Sequence, residues 1–216
     1  MKYTGLARFD YLYDAVRDEK IILLIPTWRR SLDTKEKFEE SKYYKGLLSL
    51  INNKKLEEIL IKNDKYIYFY PHFSAQKYMD LFKTKNTRIK IIGYNDVFIQ
   101  ELLKKGSLLI TDFSSIFTDF VYMDKPIIYY QYDSEAYYND HVQSSIKSYF
   151  DFEKNGFGEV ITSEENLIEK IIFYINENFA VEEKYKERVK KFFALKDKKN
   201  CERIFEEILR IDKNEK

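Results

Sequence analysis

The chain has 216 residues, enough for one α/β domain with a full core and somewhat short for two. With 44% hydrophobic and 34% charged residues it is not a disordered chain, and a formal charge of +1 removes the basic excess on which nucleic-acid binding would draw. Its single cysteine, Cys201, excludes an internal disulfide and leaves no ligand set for structural zinc. The opening "MKYTGLARFDYLYD" lacks the apolar run of a signal peptide, and no segment approaches the ~20 apolar residues that span a bilayer. A cytoplasmic protein with at most peripheral membrane contact is the expectation.

Along the chain, short apolar runs alternate with helical patterns. "IILLIP" (Ile21 to Pro26), "YIYFYP" (Tyr66 to Pro71), "IKII" (Ile89 to Ile92), "SLLIT" (Ser107 to Thr111), "PIIYY" (Pro126 to Tyr130) and "EVIT" (Glu159 to Thr162) predict strands. Helices are predicted near Lys45 to Ile61, Ala75 to Lys83, Asp96 to Lys105, Ser114 to Met123 and Glu164 to Asn178. The charged stretch Lys35 to Lys62 reads as a solvated helical face. From Glu182 to Arg210, Val189, Phe192, Phe193, Ile204, Phe205 and Ile208 recur at helical spacing and predict packing helices. This alternation predicts a single Rossmann-like α/β domain over 1–216, its mainly parallel sheet covered by helices on both faces, with ligands at the carboxyl ends of the strands.

Polar residues gather at those strand ends: "PTWRR", "PHF", "DFSS" and "YQYD". Ser114 or Ser115 is placed to cap the helix after the fourth strand, where free backbone N–H groups and two hydroxyls suit a phosphate without glycine. A plain capped helix is the other reading. Asp112 and Asp119 cannot grip a phosphate themselves; each either accepts from a ligand hydroxyl, holds a cation, or complements the helix end. His72 follows a strand and is either a phosphate donor and acid–base group or a satisfied loop residue. Arg29 and Arg30 offer phosphate-binding forks, Trp28 stacks on a base or fills the core, and Arg8 pairs with Asp10. His141, in "YYNDHVQSS", is given no role.

In order along the chain, "GLARFD", "IILLIPTWR", "YPHF", "LLITDFSSIFTDF", "DKPIIYYQYD", "YFDFEKNGFGEV" and "FFALKDKKNCERI" resemble the CDP-glycerol glycerophosphotransferase family, whose members build teichoic acids and related phosphopolyol polymers. The resemblance is collinear over nearly the whole chain. It implies the C-terminal, donor-binding half of a GT-B fold, with the N-terminal acceptor domain absent from these residues. It implies transfer of glycerol phosphate from CDP-glycerol, or a related CDP-polyol, to a hydroxyl of a growing and lipid-linked polymer at the inner membrane face, with release of CMP.

By the same resemblance, Ser114 and Ser115 hold the donor phosphates, and Asp112 and Asp119 contact the donor or orient its partners. His72 stabilises charge developing on the leaving CMP, and Arg29 is a further phosphate contact. No metal or other cofactor is implied, since preorganised donors stabilise such charge. Two residues depart from the family pattern, Ala7 for a proline and Phe113 for a tyrosine. A second catalytic histidine, which family members carry in the N-terminal domain, has no counterpart. Two rival readings share the pattern: a GT-B nucleotide-sugar glycosyltransferase domain and a non-catalytic nucleotide-binding module.

Overall fold

In the computed structural model, which describes residues 2–140 and 150–214, all six predicted strands form. They are β1 (Ile21–Leu24), β2 (Tyr66–Phe69), β3 (Ile89–Ile91), β4 (Leu108–Thr111), β5 (Ile127–Tyr130) and β6 (Gly158–Ile161). Every pairing is parallel, in the order β3-β2-β1-β4-β5-β6. All residues of β1, β4 and β5 are buried, as expected of strands covered on both faces. The order reverses between β1 and β4, which opens a crevice at their carboxyl ends.

Alternate residues of each strand feed two cores. Ile22, Leu24, Ile67, Phe69, Leu108, Ile110 and Ile128 face one. On that side lie α2 (Lys35–Glu40), α3 (Lys42–Ile51), α4 (Lys54–Lys62) and α9 (Glu164–Asn176). Ile21, Leu23, Leu109, Ile127 and Tyr129 face the other core. Residues of α1 (Arg8–Leu12), α5 (Ile99–Lys105), α6 (Phe117–Tyr122) and α10 (Glu183–Phe192) pack there.

Four expectations are corrected. The helix predicted over Lys45 to Ile61 is two, because Asn53 accepts from the Leu56 N–H and starts α4 afresh. The charged stretch Lys35 to Lys62 turns its charges outward but sends Phe38, Tyr43, Leu47, Leu50, Leu56 and Leu60 into the core. The segment Phe73–Leu81 forms tight 3-10 turns with a kink at Tyr78 instead of an α-helix. Finally, α11 (Asn200–Asn214) does not bury the apolar stripe expected to pack, for Phe205 is 61% and Ile208 58% exposed. Two short helices, α7 (Ser134–Asp140) and α8 (Phe152–Asn155), complete the chain. No helix among the described residues is long and apolar enough to cross a membrane. His141 lies outside the described residues.

Candidate functional site

Beyond β1 the chain leaves the sheet at Ile25, whose N–H still donates to Ile110 of β4. Thr111 Oγ1 donates to the Ile25 carbonyl at 2.7 Å, so the two strand ends stay joined as their loops diverge. Between those loops lies a buried ionic cluster. Arg29 donates through Nε and Nη2 to both oxygens of Asp133 (2.9 and 2.7 Å) and through Nη2 to Asp112 Oδ2 (2.8 Å), while Nη1 reaches the Thr27 carbonyl (2.9 Å). Asp112 Oδ1 accepts from the N–H groups of Thr27 (2.8 Å) and Phe113 (2.6 Å), and Gln131 donates to the Asp112 carbonyl. The cluster thereby ties the loops after β1, β4 and β5 together.

Around it, the Arg29 guanidinium lies 5.0 Å from the Tyr43 ring centre and 4.9 Å from that of Tyr137. Phe113 stacks on Tyr137 with ring centres 3.7 Å apart. Arg29 and Asp112 are each only 2% exposed. Burial alone would lower the Arg29 pKa, but Asp112 and Asp133 more than offset it and hold the charge. Arg29 therefore does not stand at the surface where a phosphate contact was expected, because two carboxylates and a carbonyl take its donors. Asp112, likewise, is turned inward to protein groups.

The neighbouring arginine faces outward. Arg30, Thr27, Trp28, His72 and Ser74 line a cleft of about 470 Å³ at the carboxyl ends of β1 and β2. His72 Nδ1 accepts from the Ser74 N–H at 3.2 Å, which assigns the ring proton of the neutral form to Nε2. Burial holds its pKa below the usual value, with the Asp112 charge opposing that effect. Thr27 Oγ1 is buried with no hydrogen-bond partner among the described residues. Trp28 packs on Phe38, Tyr43 and Tyr78, so one side of the ring belongs to the aromatic core while the residue also edges the cleft.

After β4, Ser114 and Ser115 precede α6, which starts later than predicted, at Phe117. Ser114 Oγ accepts from the Ile116 N–H at 3.4 Å, a turn more than a full cap. Neither the Ser114 nor the Ser115 N–H donates to any group among the described residues. Thr118 Oγ1 donates to the Ser115 carbonyl and approaches Asp119 Oδ1 at 3.5 Å. Asp119 is held by Arg8, whose Nε donates to both carboxylate oxygens at 2.8 and 2.9 Å. Burial raises the Asp119 pKa against the opposing effect of Arg8.

The expected Arg8–Asp10 pair is not present. Asp10 instead accepts from the N–H groups of Asn200 and Cys201 and from Asn200 Nδ2, capping α11. Burial acts to raise its pKa, but the hydrogen bonds from Cys201 and Asn200 prevail and bring it down to about 2.

Thr27 and Asp133 therefore join the residues singled out from sequence, and Arg8 takes Asp119 as its partner in place of Asp10. Arg30 was in view beside Arg29, but which of two adjacent residues turns outward depends on the path of an irregular loop. Asp133 closes the motif "YQYD" without any local sign that it meets Arg29 across the sheet.

A profile of the family described as CDP-glycerol:poly(glycerophosphate) glycerophosphotransferase matches residues 4–210. The minor teichoic acid biosynthesis protein GgaB of Bacillus subtilis is 35% identical over 221 residues, covering 97% of this chain and 23% of that protein. A teichoic acid poly(glycerol phosphate) polymerase of Bacillus spizizenii is 31% identical over 194 residues, covering 89% of this chain and 45% of its own length. The chain thus spans less than half of either relative. Among solved structures, the wall teichoic acid polymerase TagF superposes with a TM-score of 0.60 at 21% identity, over 96% of this chain and 48% of that one. A TagF variant reaches a TM-score of 0.66 over 99% of this chain and 53% of its own. At this identity the likeness is one of fold. On the match of residues 4–210, the chain belongs to the CDP-glycerol:poly(glycerophosphate) glycerophosphotransferase family.

Proposed function

We propose that this chain is the donor-binding part of a glycerophosphotransferase that takes CDP-glycerol, or a close CDP-polyol, and extends a teichoic-acid-type polymer. The observation that carries the reading is a family match across the chain on a fold whose carboxyl edge holds His72, Arg30 and Thr27 in one cleft. In the reaction, an acceptor hydroxyl oxygen bonds to the glycerol-bearing phosphorus, and the bond from that phosphorus to the CMP oxygen breaks. The hydroxyl proton passes to a base, and CMP departs with the electron pair.

Each residue has a part that its surroundings support. His72, with Nδ1 occupied by Ser74, presents Nε2–H as a donor to the leaving phosphate, a contact that strengthens as charge develops there. Arg30 supplies an exposed cation at the same cleft. Ser114 and Ser115 supply hydroxyl and amide donors beyond β4. Arg29, Asp112 and Asp133 act as positioning residues that fix the loops carrying these donors. Asp119 acts through Arg8.

The acceptor base and the surface that orients the acceptor belong, in this reading, to a facing acceptor domain of a longer polypeptide, as in a two-domain GT-B arrangement. The acceptor is lipid-linked and met at the cytoplasmic membrane surface. The test is calorimetry of the purified chain with CDP-glycerol against UDP- and GDP-sugars, followed by CMP release with a polymer primer, with and without the acceptor domain. Selective CDP-glycerol binding, with extension only when the facing domain is supplied, is expected. Preference for a nucleotide sugar, or rapid extension by this chain alone, refutes the assignment.

A further inference from the structure

We propose that Arg8 is a phosphoryl-binding residue of the donor site, oriented for that task by Asp119. The proposal rests on the reading of the chain as a donor-binding domain and adds a residue to it. Arg8 hydrogen-bonds to Asp119 through Nε alone, and its Nη1 and Nη2 groups meet no acceptor among the described residues. Its side chain is 42% exposed, whereas that of Asp119 is 10% exposed. A carboxylate fixed in α6 therefore anchors one edge of the guanidinium and leaves the other, with its pair of parallel N–H donors, open to solvent.

The anchor lies beside the donor motif. Asp119 is one helical turn from Ser115, and Thr118 Oγ1 links the Ser115 carbonyl to the Asp119 carboxylate. The backbone supporting Arg8 is itself fixed, since Phe9 and Leu12 are buried in the core and Asp10 caps α11. A rigidly presented guanidinium with one free edge matches the paired oxygens of a phosphate. The arrangement also resolves how an acidic residue serves an anion site: Asp119 never touches the ligand and only aims the cation that does.

The test uses titration calorimetry of the whole chain with three probes, CDP-glycerol, inorganic pyrophosphate and neutral cytidine. Variants are Arg8→Gln, Arg8→Lys, Asp119→Asn and the Arg8→Gln/Asp119→Asn double variant, each checked by thermal melting. Arg8→Gln is expected to weaken CDP-glycerol and pyrophosphate about tenfold to hundredfold, with cytidine unmoved, and Arg8→Lys to recover only part of the loss. Asp119→Asn is expected to weaken both anions in the wild-type background and to add nothing to Arg8→Gln.

Wild-type binding of CDP-glycerol that is unaltered in Arg8→Gln overturns the inference while leaving the donor-domain reading intact. Arg8-dependent binding of pyrophosphate without binding of CDP-glycerol supports Arg8 and overturns the donor assignment. No binding of either anion overturns both. A melting temperature that falls in Arg8→Gln while affinity stays constant reduces the Arg8–Asp119 pair to a strut between α1 and α6.

Discussion

Two arginines of this domain are each bonded to both oxygens of an aspartate, one beside α6 and one among the loops after β1, β4 and β5. Arg29 lies between Asp112 and Asp133, 2% exposed, with three aromatic rings around its guanidinium. Arg8 pairs with Asp119 alone and keeps 42% of its side chain in solvent. The first gives its buried Nε, Nη1 and Nη2 groups to protein acceptors; the second has its outer edge free of any acceptor among the described residues. On the proposed reading, the arginine held by two carboxylates fastens loops, while the one held by a single carboxylate keeps donors for a phosphate.

That contrast predicts opposite patterns of damage. Arg29→Met leaves Asp112 and Asp133 buried and unpaired and should cost about 3–5 kcal/mol of stability. At roughly 2–4 °C per kcal/mol for a domain of this size, the melting temperature falls by about 6–20 °C. Arg8→Met, at a half-exposed pair, should cost no more than about 1–2 kcal/mol. Urea denaturation of both variants makes the comparison, and equal losses would erase the distinction.

A second strike at the buried cluster comes from the other side. Asp133→Ala removes the bidentate partner of Arg29 but leaves Asp112 to neutralise it, so the loss should be smaller, about 3 kcal/mol. Because the cluster joins three loops, partial proteolysis should then cut first between residues 25 and 35 or 131 and 140. Cleavage unchanged from wild type would confine the role of Asp133 to global stability.

Much of this fold was legible in the sequence because its strands are short, apolar and separated by helical periods. Six runs, from Ile21 to Thr162, each became a parallel strand. What the periodicity could not carry was anything set by contacts across the sheet. Asp133 looks like a loop residue until Arg29 arrives from 104 positions away. Thr27 to Arg30 leave the sheet as irregular backbone, with no period of two or 3.6 to reveal that Arg29 turns in and Arg30 out. The apolar stripe of α11 obeys helical spacing whether or not a surface covers it, so Phe205 and Ile208 read as core while standing in solvent. Asn53 was visible, but a helix restart looks like one polar residue within a longer helix until its side chain is seen capping the Leu56 N–H.

Ser114→Ala with Ser115→Ala tests the residues proposed to meet the donor phosphates. Ser114 makes one long hydrogen bond to Ile116 and Ser115 is exposed, so stability should change by no more than about 1 kcal/mol. Affinity for CDP-glycerol should fall about tenfold to hundredfold, or ~1.4–2.8 kcal/mol, through lost donors to a charged group. Unaltered affinity would assign these hydroxyls to the turn before α6. A large stability loss would place them with Arg29 as fasteners.

The smallest effect joins the buried cluster to the cleft through His72. Burial lowers the pKa of this histidine, and the charge on Asp112 works the other way. The imidazole should therefore titrate below its ordinary value of about 6.5 and be neutral near pH 7, with its proton on Nε2 because Nδ1 accepts from Ser74. The sign for folding follows. A base whose folded pKa is depressed resists protonation in the native state, so its contribution is intact above the unfolded value. That contribution is lost as pH falls from there toward the folded one. Imidazole resonances followed by NMR from pH 4.5 to 8 give the midpoint directly, with His141 distinguished by a His141→Gln variant. In Asp112→Asn, if it folds, the cation of Arg29 faces one carboxylate fewer and the midpoint should move lower still. Saturating CDP-glycerol should move it up, because two phosphates near Nε2 favour the imidazolium. A midpoint above the ordinary value in the free protein would mean that His72 feels the cluster's extra carboxylate more than its own burial. A midpoint indifferent to CDP-glycerol would take His72 out of the phosphate site.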